Sequence, residues 1–327
     1  MDMFAIRRLS LTSLFFCCAQ LARAEEPLPT STPSNTNNVI QDFCLKIGLR
    51  FAKFGWQESG CNKIAWNYSI SSEKGAPLIF AEFGRKTTAI DPETETTLIL
   101  GGVHGDETPS TFMVFREAAE LQSQDAALSE KNKRVVVAPL VNPDGFFLQR
   151  RTNANGVDLN RNLPTTDWSP GALRLWKIGR KGSPIHFPGH KPGSEAGSMF
   201  QVYLIERYTP DKILSIHAPL NFIDYDGPGD AKRSSLLNRD ERRAKEIAAI
   251  LGRTSRRRKV VDYPFFPGSL GNFAGNERGI PTITLEVASS QPRYAARFWD
   301  EFRESMANVI DYKFRKLSVA QRNQKNN

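Results

Sequence analysis

A histidine and a glutamate three residues apart, His104 and Glu107, follow the apolar run Thr97-Leu98-Ile99-Leu100 in the segment Gly101-Gly102-Val103-His104-Gly105-Asp106-Glu107. Zinc in hydrolases favours two His and one Glu, with a fourth position left to water. The pair therefore calls for a second His and a catalytic carboxylate elsewhere; alone, it reads equally as a hydrogen-bonded pair in a loop. The chain holds four histidines, His104, His186, His190 and His217. His186 and His190 fall in the Pro/Gly-rich stretch 167–194, where surface positions are expected. His217, in Leu214-Ser215-Ile216-His217-Ala218-Pro219, is better placed as the second imidazole ligand. Arg151 and the loop Gly156-Val157-Asp158-Leu159-Asn160-Arg161-Asn162 bring guanidinium and amide groups suited to gripping a carboxylate. The same loop also reads as a polar segment held by Asx turns.

These residues need elements to position them. Apolar periodicity predicts a helix over 39–54, strands over 78–83 and 97–103, and a helix from Pro109 to about 122, where proline suits the first turn. Strand 134–140 ends at Asn142-Pro143-Asp144-Gly145, a turn signal. Helices are expected over 193–208, 239–251 and 292–312, and strands over 212–216 and 280–287. Strands alternating with helices indicate an α/β fold: one domain with a central mixed, twisted sheet and helices on both faces. Sites in such sheets form at the carboxyl ends of strands, where His104, His217 and Glu286 all fall.

The chain has 327 residues, 40% of them hydrophobic, and a net charge of +9. Arg7 and Arg8 precede an apolar segment, 9–21, that is too short to span a bilayer comfortably and ends in Ala22-Arg23-Ala24, which predicts a signal peptide over 1–24. Arg7, Arg8 and Arg23 against Asp2 carry +2 of the charge, leaving +7 on the remainder. Cleavage would place the protein in the periplasm or outside the cell, with no stable membrane span remaining and nucleic acid disfavoured as a partner. It would also leave two cysteines, Cys44 and Cys61, for which an oxidising compartment favours a disulfide. Residues 25–38 read as a linker, 39–66 as a helical extension carrying the disulfide, 67–315 as the catalytic domain and 316–327 as a basic tail. Basic residues also collect at 253–259. Oligomeric state is not legible.

The order His104-x-x-Glu107, Arg151, Asn160-Arg161, His217, Tyr263 and Glu286 resembles the zinc carboxypeptidases of the carboxypeptidase A type over roughly 68–312. The segments Asn142-Pro143-Asp144-Gly145, Pro192-Gly193-Ser194-Glu195 and Thr284-Leu285-Glu286 match as well. The resemblance implies one zinc ion held by His104, Glu107 and His217, with Glu286 as general base. It further implies Arg151 stabilising the oxyanion, Asn160 and Arg161 gripping a terminal carboxylate, and Tyr263 closing over it. His217-Ala218-Pro219-Leu220 and the run from Gly268 to Gly275 are similar to the murein tripeptide amidases and D,L-carboxypeptidases, which implies peptidoglycan stem peptides as partners. The bond implied is γ-D-glutamyl to meso-diaminopimelate, trimming tripeptide to dipeptide. Gly271 stands where pancreatic-type members carry an acid, and Asp224, Asp226 and Asn272 are candidates for the distal end of diaminopimelate. Ordinary L-peptides, or wall binding without catalysis, are the alternatives.

Overall fold

In this computed structural model the described residues are 33–312, apart from 88–90, 228–236, 255–257 and 262. The expected leader, the tail 316–327 and part of the basic run 253–259 lie outside them. In chain order the main elements are α1 (Pro33–Lys53), β1 (Asn67–Ser71), β2 (Pro77–Gly84), β3 (Glu95–Leu100), α2 (Thr108–Glu130), β4 (Lys133–Ala138), α3 (Pro143–Leu148), α4 (Trp168–Arg174), α5 (Ala196–Tyr208), β5 (Lys212–His217), β6 (Phe222–Tyr225), α6 (Leu237–Thr254), β7 (Lys259–Val261), β8 (Thr282–Glu286) and α7 (Ala295–Asp311).

The strands form one mixed sheet in the order β1-β2-β4-β3-β5-β8-β6-β7. Its centre, β4-β3-β5-β8, is parallel, and β2 and β6 pair antiparallel on either side. The central strands are buried on both faces, which is why they read as continuous apolar runs. Alternate residues then divide between two cores. Ile79, Ile99, Val135, Val137, Leu214 and Ile216 face a cluster containing Phe51, Phe112, Phe115, Leu251 and Phe302. Leu78, Leu98, Leu100, Val136 and Ile213 face Phe200, Leu204, Ile205 and Phe273. Helices therefore cover both faces, as the sequence predicts.

Two local readings are corrected. Asn142 to Gly145 is the first turn of α3, because the Asn142 side chain accepts a hydrogen bond from Gly145 N at 2.9 Å and caps it. Helix α1 starts at Pro33, before the expected 39, since its first polar residues carry no apolar period to announce a helix. Cys44 of α1 is joined to Cys61 by a disulfide. Beyond it, Phe51 meets the Phe115 ring edge-on at 5.5 Å, so the extension shares the main core.

The end of the sheet away from the carboxyl termini of the parallel strands holds a buried ion cluster. Glu95 accepts from Lys133 Nζ at 2.6 Å and Lys212 Nζ at 2.8 Å, and both lysines also donate to carbonyls at the end of α7. Glu117, buried on α2, has no such partner among the described residues: burial, with a smaller push from Glu120, raises its carboxyl to about 8. The folded protein therefore binds more protons than the unfolded chain between about pH 4.5 and 8, and this group costs stability as pH rises through that window. Glu117→Gln is expected to raise the unfolding free energy at pH 8, with the gain shrinking by at most about 1.4 kcal/mol per pH unit toward pH 4.5. Denaturant melts of both proteins across that range measure it; a pH-independent difference would contradict the assignment.

Candidate active site

Strand β3 leads through α2 to β4 on one side, and the chain later returns to β5 on the other. That reversal opens a crevice at the carboxyl ends of β3 and β5. His217 ends β5 and Glu286 ends β8, and the two are register partners, so their side chains share one face. His104 lies in the loop after β3. That loop is pressed against α3: a Cβ on Gly105 would stand 2.0 Å from the carbonyl carbon of Gly145, so only glycine permits the approach.

His104, Glu107 and His217 converge as one buried group. The two imidazole Nδ1 atoms are 3.2 Å apart, with Glu107 Oε1 2.7 Å from one and Oε2 2.9 Å from the other. A tetrahedral ion about 2.0–2.1 Å from each ligand would set ligand atoms about 3.3 Å apart, close to the observed spacing. The outward nitrogens are held as a metal site requires: His104 Nε2 meets Asp158 Oδ1 at 3.1 Å and His217 Nε2 meets Ser215 Oγ at 3.0 Å. Burial pushes the Glu107 carboxyl up, but His104 and His217 outweigh it and hold the group well below the usual carboxylate range. Two imidazole nitrogens aimed at each other across an ionised carboxylate fit a zinc ion.

Arg151 is fixed beside this group. Its Nε and Nη2 donate to Asp158 Oδ2 at 3.1 and 3.0 Å and its Nη1 to Glu107 Oε1 at 3.2 Å. The Asx-turn reading of the next loop also holds, since Asn153 and Asp158 side chains accept from Val157 N and Asn160 N. Asn160 Oδ1 in turn accepts from Leu270 N at 2.8 Å. Arg161 lies 4.4 Å over the Phe266 ring. Tyr263 is 40% exposed at the rim and stacks on Phe222 at 5.7 Å, so it both packs and faces the cleft. All eight predicted chemical residues line one cleft of about 260 Å³.

Other placements depart from expectation. His186 lines the cleft with its Nδ1 3.6 Å from Asp158 Oδ2, because the 167–194 stretch folds over the site; His190 is exposed. Asp158, buried at 0% exposure, stood in the sequence motif with no role given to it; its place two residues before Asn160 was the available signal. Asn272 is buried outside the cleft, bonded to Asp167 and Asn276. Asp224 accepts from Tyr263 N at 2.8 Å and so positions the tyrosine. Asp226 lies in the cleft wall beside Thr284, and a Cβ on Gly271 would come within 2.6 Å of it. The missing side chain at 271 is what makes room for that carboxylate.

Zinc held by His104, Glu107 and His217 would supply an activated water near neutral pH and would polarise a carbonyl oxygen. Glu286 reaches the same cleft and accepts from Leu220 N at 3.3 Å. Burial pushes its carboxyl up to about 7, with His217 pulling down and Glu107 pushing up, so it can take a proton and return it near neutrality. Asp158→Asn is expected to weaken zinc binding by roughly 10–100-fold, and His217→Ala to abolish stoichiometric zinc. Chelator competition with metal analysis measures both; wild-type affinity in Asp158→Asn would separate that residue from the metal group.

The zinc carboxypeptidase family profile matches residues 59–291. Murein peptide amidase A of Escherichia coli K12 is 37% identical over 152 residues, which is 46% of this chain and 57% of that protein. The chain thus spans little more than half of that relative. Murein peptide amidase A of Vibrio campbellii is 33% identical over 220 residues, 65% of this chain and 75% of the relative. Among solved structures, murein-tripeptide amidase of Escherichia coli O157 superposes with a TM-score of 0.53 at 25% identity, covering 77% of this chain and 94% of that one. Bovine thrombin-activatable fibrinolysis inhibitor shares the fold, with a TM-score of 0.62 at 17% identity over 84% of this chain and 95% of that one. With the family profile covering most of the chain and the ligand group in place, the protein belongs to the zinc carboxypeptidase family of hydrolases.

Proposed function

We propose that this enzyme is an exported D,L-carboxypeptidase that hydrolyses the γ-D-glutamyl to meso-diaminopimelate bond of peptidoglycan stem peptides, trimming tripeptide to dipeptide. The observation that carries this reading is the charge at the leaving-residue end of the cleft. Arg161 and Arg180 both lie over the Phe266 ring, and Asp226, hydrogen-bonded by Thr284, lines the same cleft with Ser269. A leaving residue with an apolar side chain would bury against these groups without hydrogen bonds, which is costly. Diaminopimelate carries an ammonium and carboxylates that suit them. Relatives named murein peptide amidase support the substrate class. The apolar leader and the Cys44–Cys61 disulfide support export to the periplasm or beyond.

In this reading Asn160 and Arg161 hold the carboxylate next to the scissile nitrogen. Tyr263 covers it, and Arg151 faces the developing oxyanion. Glu286 takes the proton of the attacking water and delivers it to the leaving nitrogen. Purified protein given a disaccharide tripeptide should release diaminopimelate. Release of C-terminal residues from ordinary L-peptides alone would sink the reading. Glu286→Gln should keep one zinc per chain while losing roughly 10²–10⁴-fold in kcat. In the wild type, kcat/KM should rise with pH as Glu286 ionises, with a midpoint at or below about 7 because a bound dication favours the carboxylate. Zinc loss from a folded Glu286→Gln protein would instead make Glu286 a ligand.

A further inference from the structure

We propose that Arg180 binds a second carboxylate on the leaving residue, so that the cleft selects residues acidic at both ends; this rests on the peptidoglycan reading above. The stretch 167–194 supplies the residue. After α4 the chain makes one wide helical turn, Leu175–Gly179, closed by Arg180 N donating to Leu175 O at 3.0 Å. Trp176 anchors it, packing on Phe187 at 4.9 Å and donating Nε1 to Ser183 O at 2.8 Å. Arg180 therefore projects from a clamped loop, and its placement costs little entropy when a ligand arrives.

Its guanidinium lies 5.2 Å from the Phe266 ring centre, and Arg161 lies 4.4 Å from the same centre. Two like charges thus share one aromatic ring. Arg151 has Asp158 as a counter-ion, whereas among the described residues neither Arg161 nor Arg180 pairs with a carboxylate. Half-buried guanidiniums with no carboxylate in direct contact favour an anion that reaches them, and the fork of arginine matches a carboxylate. Arg161 is committed to the carboxylate beside the scissile bond. Arg180, on the same ring, is left to take a second one further along the leaving residue. In the same cleft, Asp226 is an acceptor for a distal ammonium.

Diaminopimelate and lysine differ by that distal carboxylate and share the distal ammonium, so they separate the two contacts. The test compares kcat/KM on γ-D-glutamyl substrates ending in meso-diaminopimelate or in L-lysine, with wild type, Arg180→Met and Arg180→Gln, the fold of each checked by thermal melting. The wild type should prefer diaminopimelate by roughly 10- to 100-fold, and each variant should bring that ratio to near one. Binding of free meso-diaminopimelate against free lysine by calorimetry should show the same preference in the wild type without turnover. Equal wild-type rates on the two substrates would overturn the Arg180 assignment while leaving the bond specificity standing. A preference that persists in folded variants, with both substrates slowed alike, would make Arg180 a support for Phe266 only. Release from neither substrate would overturn the peptidoglycan reading and this one with it.

Discussion

One buried anion organises the site. Asp158 is out of contact with water and is satisfied by His104 Nε2, by two nitrogens of Arg151 and by the amide of Asn160. Burial pushes its carboxyl up, but Arg151 and His104 outweigh that and hold it well below the usual range. The charge thus persists at any ordinary pH. It fixes the proton on the far side of His104, so that Nδ1 presents a lone pair to the metal position. It aims Arg151, and it starts the short helical turn that carries Asn160 and Arg161. His104, Arg151 and the turn that bears Asn160 and Arg161 are therefore positioned by one interaction. Removing it would leave a guanidinium buried without its main partner, which costs more than the pair contributes.

The sheet separates chemistry from stability by its two ends. At the carboxyl end of the parallel strands, Gly102 and Gly105 let the His104 loop pack closely on its neighbours, and the cleft opens beside it. At the opposite end Glu95 lies between Lys133 and Lys212, and the lysines close the carbonyls that end α7. Cations at a helix C-terminus complement its dipole, and the shared glutamate keeps both ammonium groups hydrogen-bonded while buried. The strands that deliver His217 and the His104 loop are thus anchored where no catalysis occurs.

What the sequence made legible follows from the range of each signal. Apolar alternation and proline placement are local, so β2 to β5, β8 and the start of α2 emerged within a few residues of their bounds, whereas α2 runs on to Glu130, past the expected 122. Of the edge strands, β7 has only three residues, and β1 is polar and no more than half-buried, so neither carries an apolar period. His104, Glu107, His217 and Glu286 were legible because strand ends and residue chemistry agree on them. Asp158 was not singled out, since a carboxylate in an Asn-rich loop looks solvated until the fold encloses it. His186 and Arg180 escaped for a related reason. A stretch dense in Pro and Gly carries no period, yet Trp176, Phe187 and its turns fold it over the cleft. Asn272 failed in the opposite way, its amide being turned toward Asp167 rather than toward the site.

The acid in the cleft wall shows how a single omission shapes specificity. With no side chain at Gly271, Asp226 fits where a Cβ would otherwise collide, and its carboxylate reaches the cleft from the loop after β6. Gly271 also heads the wide turn Gly271–Asn276, packed beside Leu270 and Phe273 in the second core. The position of Asp226 is thereby tied to core packing and not to a mobile rim. In the same cleft, Arg161 and Arg180 rest on Phe266. Specificity in such a cleft arises by exclusion as much as by attraction. A hydrocarbon side chain would strip water from these charges and return no hydrogen bond, whereas a residue bearing both signs replaces each lost water with a partner. Under the proposed reading, the same His104, Glu107, His217 and Glu286 would serve a different substrate class through changes confined to the wall formed by Arg161, Arg180 and Asp226.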